Sequence, residues 1–495
     1  MSPIPREETA SMLRTFPDGF LFGAATAAYQ IEGAAFEDGR TASIWDAYCR
    51  VPGAVINADN GDVACDHYHR YRDDVALMKD LGLDTYRFSV SWSRVRPDGG
   101  PINPKGLDFY KRLVDELRDA DIIPWLTLYH WDLPQALQER GGWTVRETSD
   151  LFTEYALDVH DALGDRVVNW TTLNEPWCSS FLSYTAGIHA PGHYSVTEGV
   201  LAAHHLLLGH GQTVRELRAR DSSLRLGITL NLTGAEPADP TRPSDLDAAR
   251  RIDGQFNRWF LDPIFRGTYP ADIVEDIRAV DPAAIEALAA ATQPGDLDVI
   301  ATPLDALGVN YYHNEFVGGE PDPTPPAPGD APTDRHAESP FPSHEGIHWH
   351  ERGLPRTSMH WEVQPEGLTA LLERVWTDYA EKAGTALYVT ENGAAFDDVV
   401  AEDGEVRDLE RTDFLRRHLA ATLDAAEAGV DVRGYFYWSL LDNFEWAWGY
   451  EKRFGIVRVD YDTGERSPKA SAREYRRLIA QRAIDVPRAG VVTHP

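Results

Sequence analysis

Apolar residues occur along the chain in short blocks that alternate with longer, amphipathic stretches. The short blocks are rich in β-branched and aromatic residues, which is typical of strands. Eight of them are predicted as strands, at residues 20–29, 85–92, 122–130, 167–173, 224–231, 306–311, 386–390 and 434–439. Between these blocks, apolar residues recur every three or four positions, which predicts helices. The predicted helices lie near residues 66–81, 107–117, 151–162, 202–217, 256–260, 273, 367–380 and 413–428.

Strand–helix alternation favours parallel strands, and a count of eight favours a closed barrel over an open sheet, because closure removes both sheet edges. No glycine-rich phosphate-binding pattern follows any predicted strand, which disfavours a nucleotide-binding fold. We therefore predict an α/β protein, a single (β/α)8 TIM barrel with long βα loops. One catalytic domain is expected over residues 1–495, with its core at about 16–475 and short polar tails. Residues 320–343, rich in Pro, Asp and Gly, are interpreted as a surface loop outside the core.

Charge and cysteine content narrow the possible partners. The chain has 47 Lys and Arg residues against 79 Asp and Glu residues, a formal net charge of −32. This charge disfavours nucleic acids and anionic membranes as partners. Three cysteines are too few for a disulfide framework in 495 residues. With a polar N-terminal stretch and no membrane-length apolar segment, the sequence predicts a cytoplasmic location, and the oligomeric state is left open.

Two predicted strands end on a glutamate. The first stretch, residues 170–177, stops at Pro176, which cannot continue a central strand, so Glu175 is placed at a strand end. The second places Glu391 at the end of residues 386–390, just before a turn. Because the chemistry of such barrels lies where strands pass into loops, these two carboxylates are predicted to face one pocket. A pair of carboxylates is the minimum requirement for glycosidic bond cleavage.

Other predicted strand ends carry amide, indole and imidazole groups, which suit the hydroxyls and C–H faces of a sugar ring. Any one of these residues alone is better explained as a satisfied core residue, but their convergence at the strand ends reverses that preference. The residues are Gln30, Arg87, His130, Trp131, Asn174, Asn231, Asn310, Tyr312 and Trp438, followed by Glu445 and Trp446 beyond the last strand.

Histidines do not indicate a metal site. His67 with His69, and His204 with His205, belong to no recognisable ligand set, and adjacent helical residues point to different faces. We predict no metal and no organic cofactor.

Three motifs resemble glycoside hydrolase family 1, the β-glucosidase family. They are the stretch from Phe20 to Gly33, the Thr171-x-Leu173-Asn174-Glu175-Pro176 segment and the Thr390-Glu391-Asn392-Gly393 segment. The similarity runs from about Phe16 to about Tyr475. It implies a retaining β-glycosidase acting on small β-glycosides, including oligosaccharides from cellulose and other polysaccharides.

The resemblance also implies roles for individual residues. Glu175 would be the general acid/base and Glu391 the nucleophile, with Tyr312 hydrogen-bonded to Glu391. Arg87 is expected to hold the pKa of Glu391 low, whereas burial and the charge of Glu391 are expected to raise the pKa of Glu175. Substrate binding is assigned to Gln30, His130, Trp131, Asn174, Asn310, Trp361, Trp438, Glu445 and Trp446. Among them, Asn174 would bind the sugar 2-hydroxyl and Trp438 would stack under the ring.

Several alternatives stay open at this stage. A 6-phospho-β-glycosidase is disfavoured, because the carboxylate of Glu445 would repel the phosphate. A non-catalytic sugar-binding barrel is disfavoured because both glutamates are present. An inverting hydrolase needs carboxyl groups roughly 6.5–9.5 Å apart, a separation that the sequence does not measure. The sequence also does not separate glucose from galactose or fucose as the preferred sugar.

Overall fold

The computed structural model describes residues 13–322 and 335–485. Its centre is a closed barrel in which each strand lies parallel to the two strands nearest to it in the chain, and the last strand pairs with the first. The predicted (β/α)8 barrel is therefore confirmed. The strands are β1 Leu21–Ala25, β2 Thr85–Ser89, β3 Ile123–Tyr129, β4 Asn169–Asn174, β5 Arg225–Asn231, β6 Ala306–Asn310, β7 Ala386–Asn392 and β8 Val432–Trp438.

The barrel interior is filled with side chains. The Trp125 ring of β3 contacts the rings of Tyr388 and Phe436 edge-on, with centroids 4.7 and 5.3 Å apart. Gly308 of β6 leaves room near the centre, because a Cβ there would overlap the hydroxyls of Thr229 and Thr390. The barrel is thus a packed core rather than a pore, and the site is confined to one end of it.

Helices surround the barrel because each has one apolar face to bury. The second of them buries Leu107, Tyr110, Leu113 and Val114 against the strands, as their spacing predicts. The longer helices are α1 His67–Leu81, α2 Pro104–Asp119, α3 Glu147–Leu163, α4 Val196–Arg220, α5 Pro243–Asp253, α6 Trp259–Arg266, α7 Ala271–Val280, α8 Pro282–Ala291, α9 Pro365–Val375, α10 Leu409–Glu427 and α11 Ala470–Gln481.

The structure differs from the sequence prediction at the first apolar block. That block does not continue as a strand to residue 29, because the chain turns into a short helix, Ala28–Ile31, after β1. The amide of Ala28 is bonded to the Ser89 side chain at 2.7 Å. Gln30 therefore lies on a helical turn above the barrel rather than at a strand end.

Small sheets, absent from the prediction, brace the loops. One joins Ala235–Pro237, Glu315–Gly318 and His348–Trp349 near the end of the barrel. Two others pair Val457–Val459 with Arg466–Pro468 and Arg14–Thr15 with Ala483–Ile484. These strands have two to four residues, too few to give a readable alternation of polar and apolar positions.

The interpretation of residues 320–343 as a loop outside the core is wrong at its C-terminal end. Phe341 is buried and packs against Trp177 and Phe256. Residues 323–334, like the tail beyond residue 485, lie outside the described residues. Within the described part of the chain, the helices lack the combination of length and apolar character needed to cross a membrane.

Candidate active site

Glu175 and Glu391 both lie where the barrel strands are irregular. The β4–β5 pairing shifts register between Thr171 and Asn174, and the β6–β7 pairing shifts between Val389 and Glu391. Glu175, the residue after β4, has a φ of 49°. Register shifts and left-handed backbone re-aim side chains and occur next to functional sites. Here they accompany the two carboxyl groups on the barrel's C-terminal side.

Glu391 is buried and held at both carboxylate oxygens. The Arg87 guanidinium donates to Oε1 at 2.6 Å, and the Tyr312 hydroxyl donates to Oε2 at 2.7 Å. Arg87 is fully buried and also donates to Oδ1 of Asn174 at 2.7 Å. Glu391 therefore has a charged partner and a neutral donor, which together favour its ionised form.

Asn310, at the end of β6, joins Glu175 to Asn174. Its Nδ2 donates to Oε1 of Glu175 at 2.7 Å and to Oδ1 of Asn174 at 3.1 Å. The Thr390 hydroxyl donates to Oδ1 of Asn310 at 2.8 Å, which fixes the orientation of the amide. Asn310 was predicted to bind substrate, and that role stays a prediction; the structure shows in addition that its amide supports Glu175.

Burial and charge raise the pKa of both carboxyl groups. For Glu175, burial is the larger cause and the charge of Glu391 the second, and together they raise its pKa to about 8. For Glu391, burial raises the pKa, although Arg87 and Tyr312 act to lower it. Arg87 was expected to hold the pKa of Glu391 low; it does lower that pKa, but burial outweighs it and the pKa is raised overall. What Arg87 does is make Glu391 the better place for the negative charge.

Aromatic rings form another part of the site. His130, directly after β3, stacks on Trp438 with centroids 5.7 Å apart, and Trp131 and Trp446 lie 4.6 Å apart. Burial, followed by Arg87, lowers the pKa of His130 well below its usual value, so the ring is neutral. Its Nε2 contacts Asn174 at 3.1 Å, and its buried Nδ1 has no hydrogen-bond partner among the residues that the structure describes.

The loop after β8 meets Gln30. Nε2 of Gln30 donates to Oδ1 of Asn443 at 3.1 Å, to the Phe444 carbonyl at 2.8 Å and to Oε2 of Glu445 at 3.4 Å. Oε1 of Gln30 is buried and has no hydrogen-bond partner within residues 13–322 and 335–485. Burial, with the charges of Glu391 and Glu175, raises the pKa of Glu445 to about 8.

These groups surround one cavity of about 420 Å³. Of the residues predicted from sequence, the cavity is lined by His130, Trp131, Glu175, Asn231, Asn310, Tyr312, Trp361, Glu391, Trp438, Glu445 and Trp446. Arg87, Asn174 and Gln30 lie behind the lining and act through hydrogen bonds. Within residues 13–322 and 335–485, no group of three or more His, Cys, Asp and Glu side chains is arranged to hold a metal ion.

The sequence analysis missed many of the residues that line the cavity. They include Trp177, Cys178, Leu182, His189, Phe256, His313, Phe341, Trp349, Trp448 and Phe454. Cys178 could have been found, since it lies one helical turn after Glu175. The loop residues gave no local signal, because their place in the cavity depends on the path of long loops.

Comparison with known proteins identifies the family of this chain. Residues 12–484 match the sequence profile of Glycosyl hydrolase family 1. The chain belongs to this family. It is 49% identical over 472 residues to thermostable β-glucosidase B of Thermobispora bispora, covering 95% of this chain and 92% of that one. It is 46% identical to the bifunctional β-D-glucosidase/β-D-fucosidase of Bifidobacterium breve, covering 95% and 99%.

A solved relative gives the same result for the fold. The psychrophilic β-glucosidase of Micrococcus antarcticus superposes with a TM-score of 0.91 at 54% identity, covering 94% of this chain and 98% of that one. Membership of Glycosyl hydrolase family 1 confirms the predicted hydrolase, a retaining β-glycosidase on a TIM barrel. The roles of the individual site residues stay predictions.

Proposed function

We propose that this family 1 hydrolase removes terminal, non-reducing β-D-glucosyl residues from small glycosides and oligosaccharides, with retention of configuration. The observation that carries the proposal is the unequal surroundings of two buried carboxyl groups in one cavity. Glu391 is bonded to a guanidinium, whereas Glu175 accepts only from an amide and a thiol. Such a pair separates into an ionised and a protonated partner, as double displacement requires.

In the first step, the ionised carboxylate of Glu391 attacks the anomeric carbon and forms a glycosyl ester. Glu175 gives its proton to the departing glycosidic oxygen, which leaves as an alcohol. Retention by this route requires the two carboxyl groups roughly 5–5.5 Å apart, so that the nucleophile reaches carbon without an intervening water.

In the second step, Glu175 acts as a base on the incoming water or acceptor sugar. Esterification removes the charge of Glu391, which is the second cause of the raised pKa of Glu175. The pKa of Glu175 therefore falls after the first step, which suits its change from acid to base. The same carboxyl group serves both steps without any movement of the backbone.

The sugar would be held between the ring of Trp438 and the polar groups opposite it. Buried polar atoms without protein partners, Nδ1 of His130 and Oε1 of Gln30, support a role in binding hydroxyl groups. Asn174 would bind the 2-hydroxyl, and Trp361 would contact the aglycone. Glu445 favours a free 6-hydroxyl, because a phosphate there would meet a third carboxyl group.

Glucose is the expected sugar, since the named relatives are β-glucosidases, and fucose is expected as a second substrate from the relative in Bifidobacterium breve. A cytoplasmic location is supported by three buried free cysteines, Cys49, Cys65 and Cys178.

The proposal is tested by kcat/KM of the purified protein for 4-nitrophenyl β-glucoside, β-galactoside, β-fucoside and 6-phospho-β-glucoside. Strong turnover of the neutral sugars with poor turnover of the phosphorylated one is expected. Preference for the phosphorylated sugar would overturn the role of Glu445. In the Glu445→Ala variant, kcat/KM should fall most for unphosphorylated sugars, and an unchanged value would remove Glu445 from the sugar site.

A further inference from the structure

Cys178 stands directly against the carboxyl group of Glu175. It opens the helical segment Cys178–Thr185, and its backbone amide donates to the Glu175 carbonyl at 3.0 Å. Its Sγ lies 3.2 Å from Oε2 of Glu175, and Nδ2 of Asn231 lies 3.6 Å from the same sulfur. The thiol is buried and lines the cavity, so it is the neighbour of one specific oxygen.

The two oxygens of Glu175 have donors of different strength. Oε1 accepts a bond of 2.7 Å from the Asn310 amide, whereas the partner of Oε2 within the described residues is the thiol. An amide is a good donor and a thiol is a weak one, so a proton on Glu175 is better placed on Oε2. A thiol is also a weak acceptor, so a proton on Oε2 of Glu175 forms only a weak hydrogen bond to the sulfur. Breaking that bond when the proton is transferred costs little free energy.

We propose that Cys178 is a positioning residue for the acid/base step. Its thiol orients Oε2 of Glu175 through a bond weak enough to be exchanged for the glycosidic oxygen. When Glu175 is ionised, the thiol donates to it and stabilises the carboxylate. This inference rests on the proposed role of Glu175 and adds to it the group that distinguishes its two oxygens.

Cys178 itself stays protonated throughout the working range. Burial, with the charge of Glu175, raises the pKa of the Cys178 thiol well above its usual value. The ionisable groups that face Glu175 are Arg87, Cys178, Tyr312, Glu391 and Glu445. Since the thiol is neutral, removing it changes a hydrogen bond and leaves the number of charges near Glu175 unchanged.

The test is the pH dependence of kcat/KM for 4-nitrophenyl β-glucoside in Cys178→Ala and Cys178→Ser, which differ by one hydroxyl. The alkaline limb reports the acid of the free enzyme. Loss of the donor in Cys178→Ala should move that limb upward by about half a pH unit, with the acidic limb unchanged. Cys178→Ser restores a donor and should return the limb to the wild-type position or below it.

Cys49→Ala is the matched control, because Cys49 is buried but contacts Tyr29 instead of a site carboxyl group. The acidic and alkaline limbs of its kcat/KM profile should lie at the same pH values as in wild type. The inference would be overturned if the alkaline limb of Cys178→Ala lay at the same pH as in wild type. It would also be overturned if the Ala and Ser variants shifted that limb equally. Glu175→Gln should abolish the alkaline limb. Its persistence there would overturn the role of Glu175 as well, which separates the two failures.

Discussion

Two groups of charged residues near the same end of the barrel differ in their balance of positive and negative charge. The active site has three carboxyl groups, Glu175, Glu391 and Glu445, around one guanidinium, Arg87. The second group, here named the ion cluster, has three anions and three cations. Its members are Asp398, Asp408, Arg411, Asp442, Arg453 and Lys469.

The balance of charge decides the pKa values. Burial alone would raise the pKa of Asp398, but Arg411 and Lys469 outweigh it, and the pKa of Asp398 is lowered. In the active site, nearby cations do not offset the effect of burial, and the pKa values of Glu175 and Glu445 are raised to about 8. The balanced charges of the ion cluster therefore have a structural role, whereas the excess of carboxyl groups in the active site keeps a carboxyl group protonated and able to act as an acid.

The ion cluster also serves the active site. Lys469 joins Asp398, in the loop after β7, to Asp442 at 2.7 Å, in the loop after β8. The first loop follows the strand of Glu391, and the second carries Glu445. The cluster therefore fixes the spacing of two loops that supply the site.

The largest effect is expected from substitution of Glu391, the carboxylate that is bonded to Arg87. Glu391→Gln should reduce kcat/KM by about 10⁴-fold or more, because the covalent step loses its nucleophile. The variant should stay folded at the assay temperature, which its thermal midpoint checks, because Arg87 keeps the Asn174 side chain as a partner. Hydrolysis within about ten-fold of wild type would exclude Glu391 as the nucleophile.

Glu175→Gln should act according to the leaving group. Poor leaving groups need protonation, so kcat/KM for an alkyl β-glucoside should fall by about 10²–10⁴-fold. For 2,4-dinitrophenyl β-glucoside, the glycosylation step needs no proton and the loss should be much smaller. The two substrates are compared in one preparation, and equal losses would argue against the acid role.

Lys469→Met should instead show its main effect on stability. It leaves Asp398 and Asp442 short of a cation, and breaking a buried pair in this way costs about 3–5 kcal/mol of unfolding free energy. Arg476→Met is the control, because its ion pair with Asp80 is exposed and contributes about 0–1 kcal/mol. Denaturant unfolding measures both, and similar losses would contradict the contrast between the two groups.

The smallest effect concerns the pH dependence of stability. The pKa of Glu445 is raised to about 8 in the folded protein, so the folded state binds its proton more tightly than the unfolded state. Its contribution is complete below the ordinary glutamate pKa of about 4.3 and is lost as pH rises toward 8. The full effect is about 1.4 kcal/mol per pH unit, but Glu445 is only partly buried and solvent screening reduces it. Glu445→Gln should therefore lose about 1–2 kcal/mol less than wild type between about pH 5 and pH 8. Parallel stability curves for the two proteins would contradict this.

The inner site was largely predictable, because its residues follow strands that the apolar pattern reveals. His130, Asn174, Glu175 and Asn310 end or follow strands, and in a parallel barrel those ends converge. Their individual partners were not predictable. Whether Asn310 contacts sugar or Glu175 depends on a difference of a few ångströms, which strand periodicity does not resolve.

The sequence by itself determined the eight-fold alternation, the barrel and the two strand-end carboxyl groups, because local periodicity and strand-breaking residues are written in consecutive positions. Only the tertiary structure decided the charge balance around them and the outer wall of the cavity. Phe341 and His189 reach that wall on long loops, and Lys469 meets Asp398 from 71 residues away. Such contacts depend on burial and on distances between remote segments, which no single stretch of sequence contains.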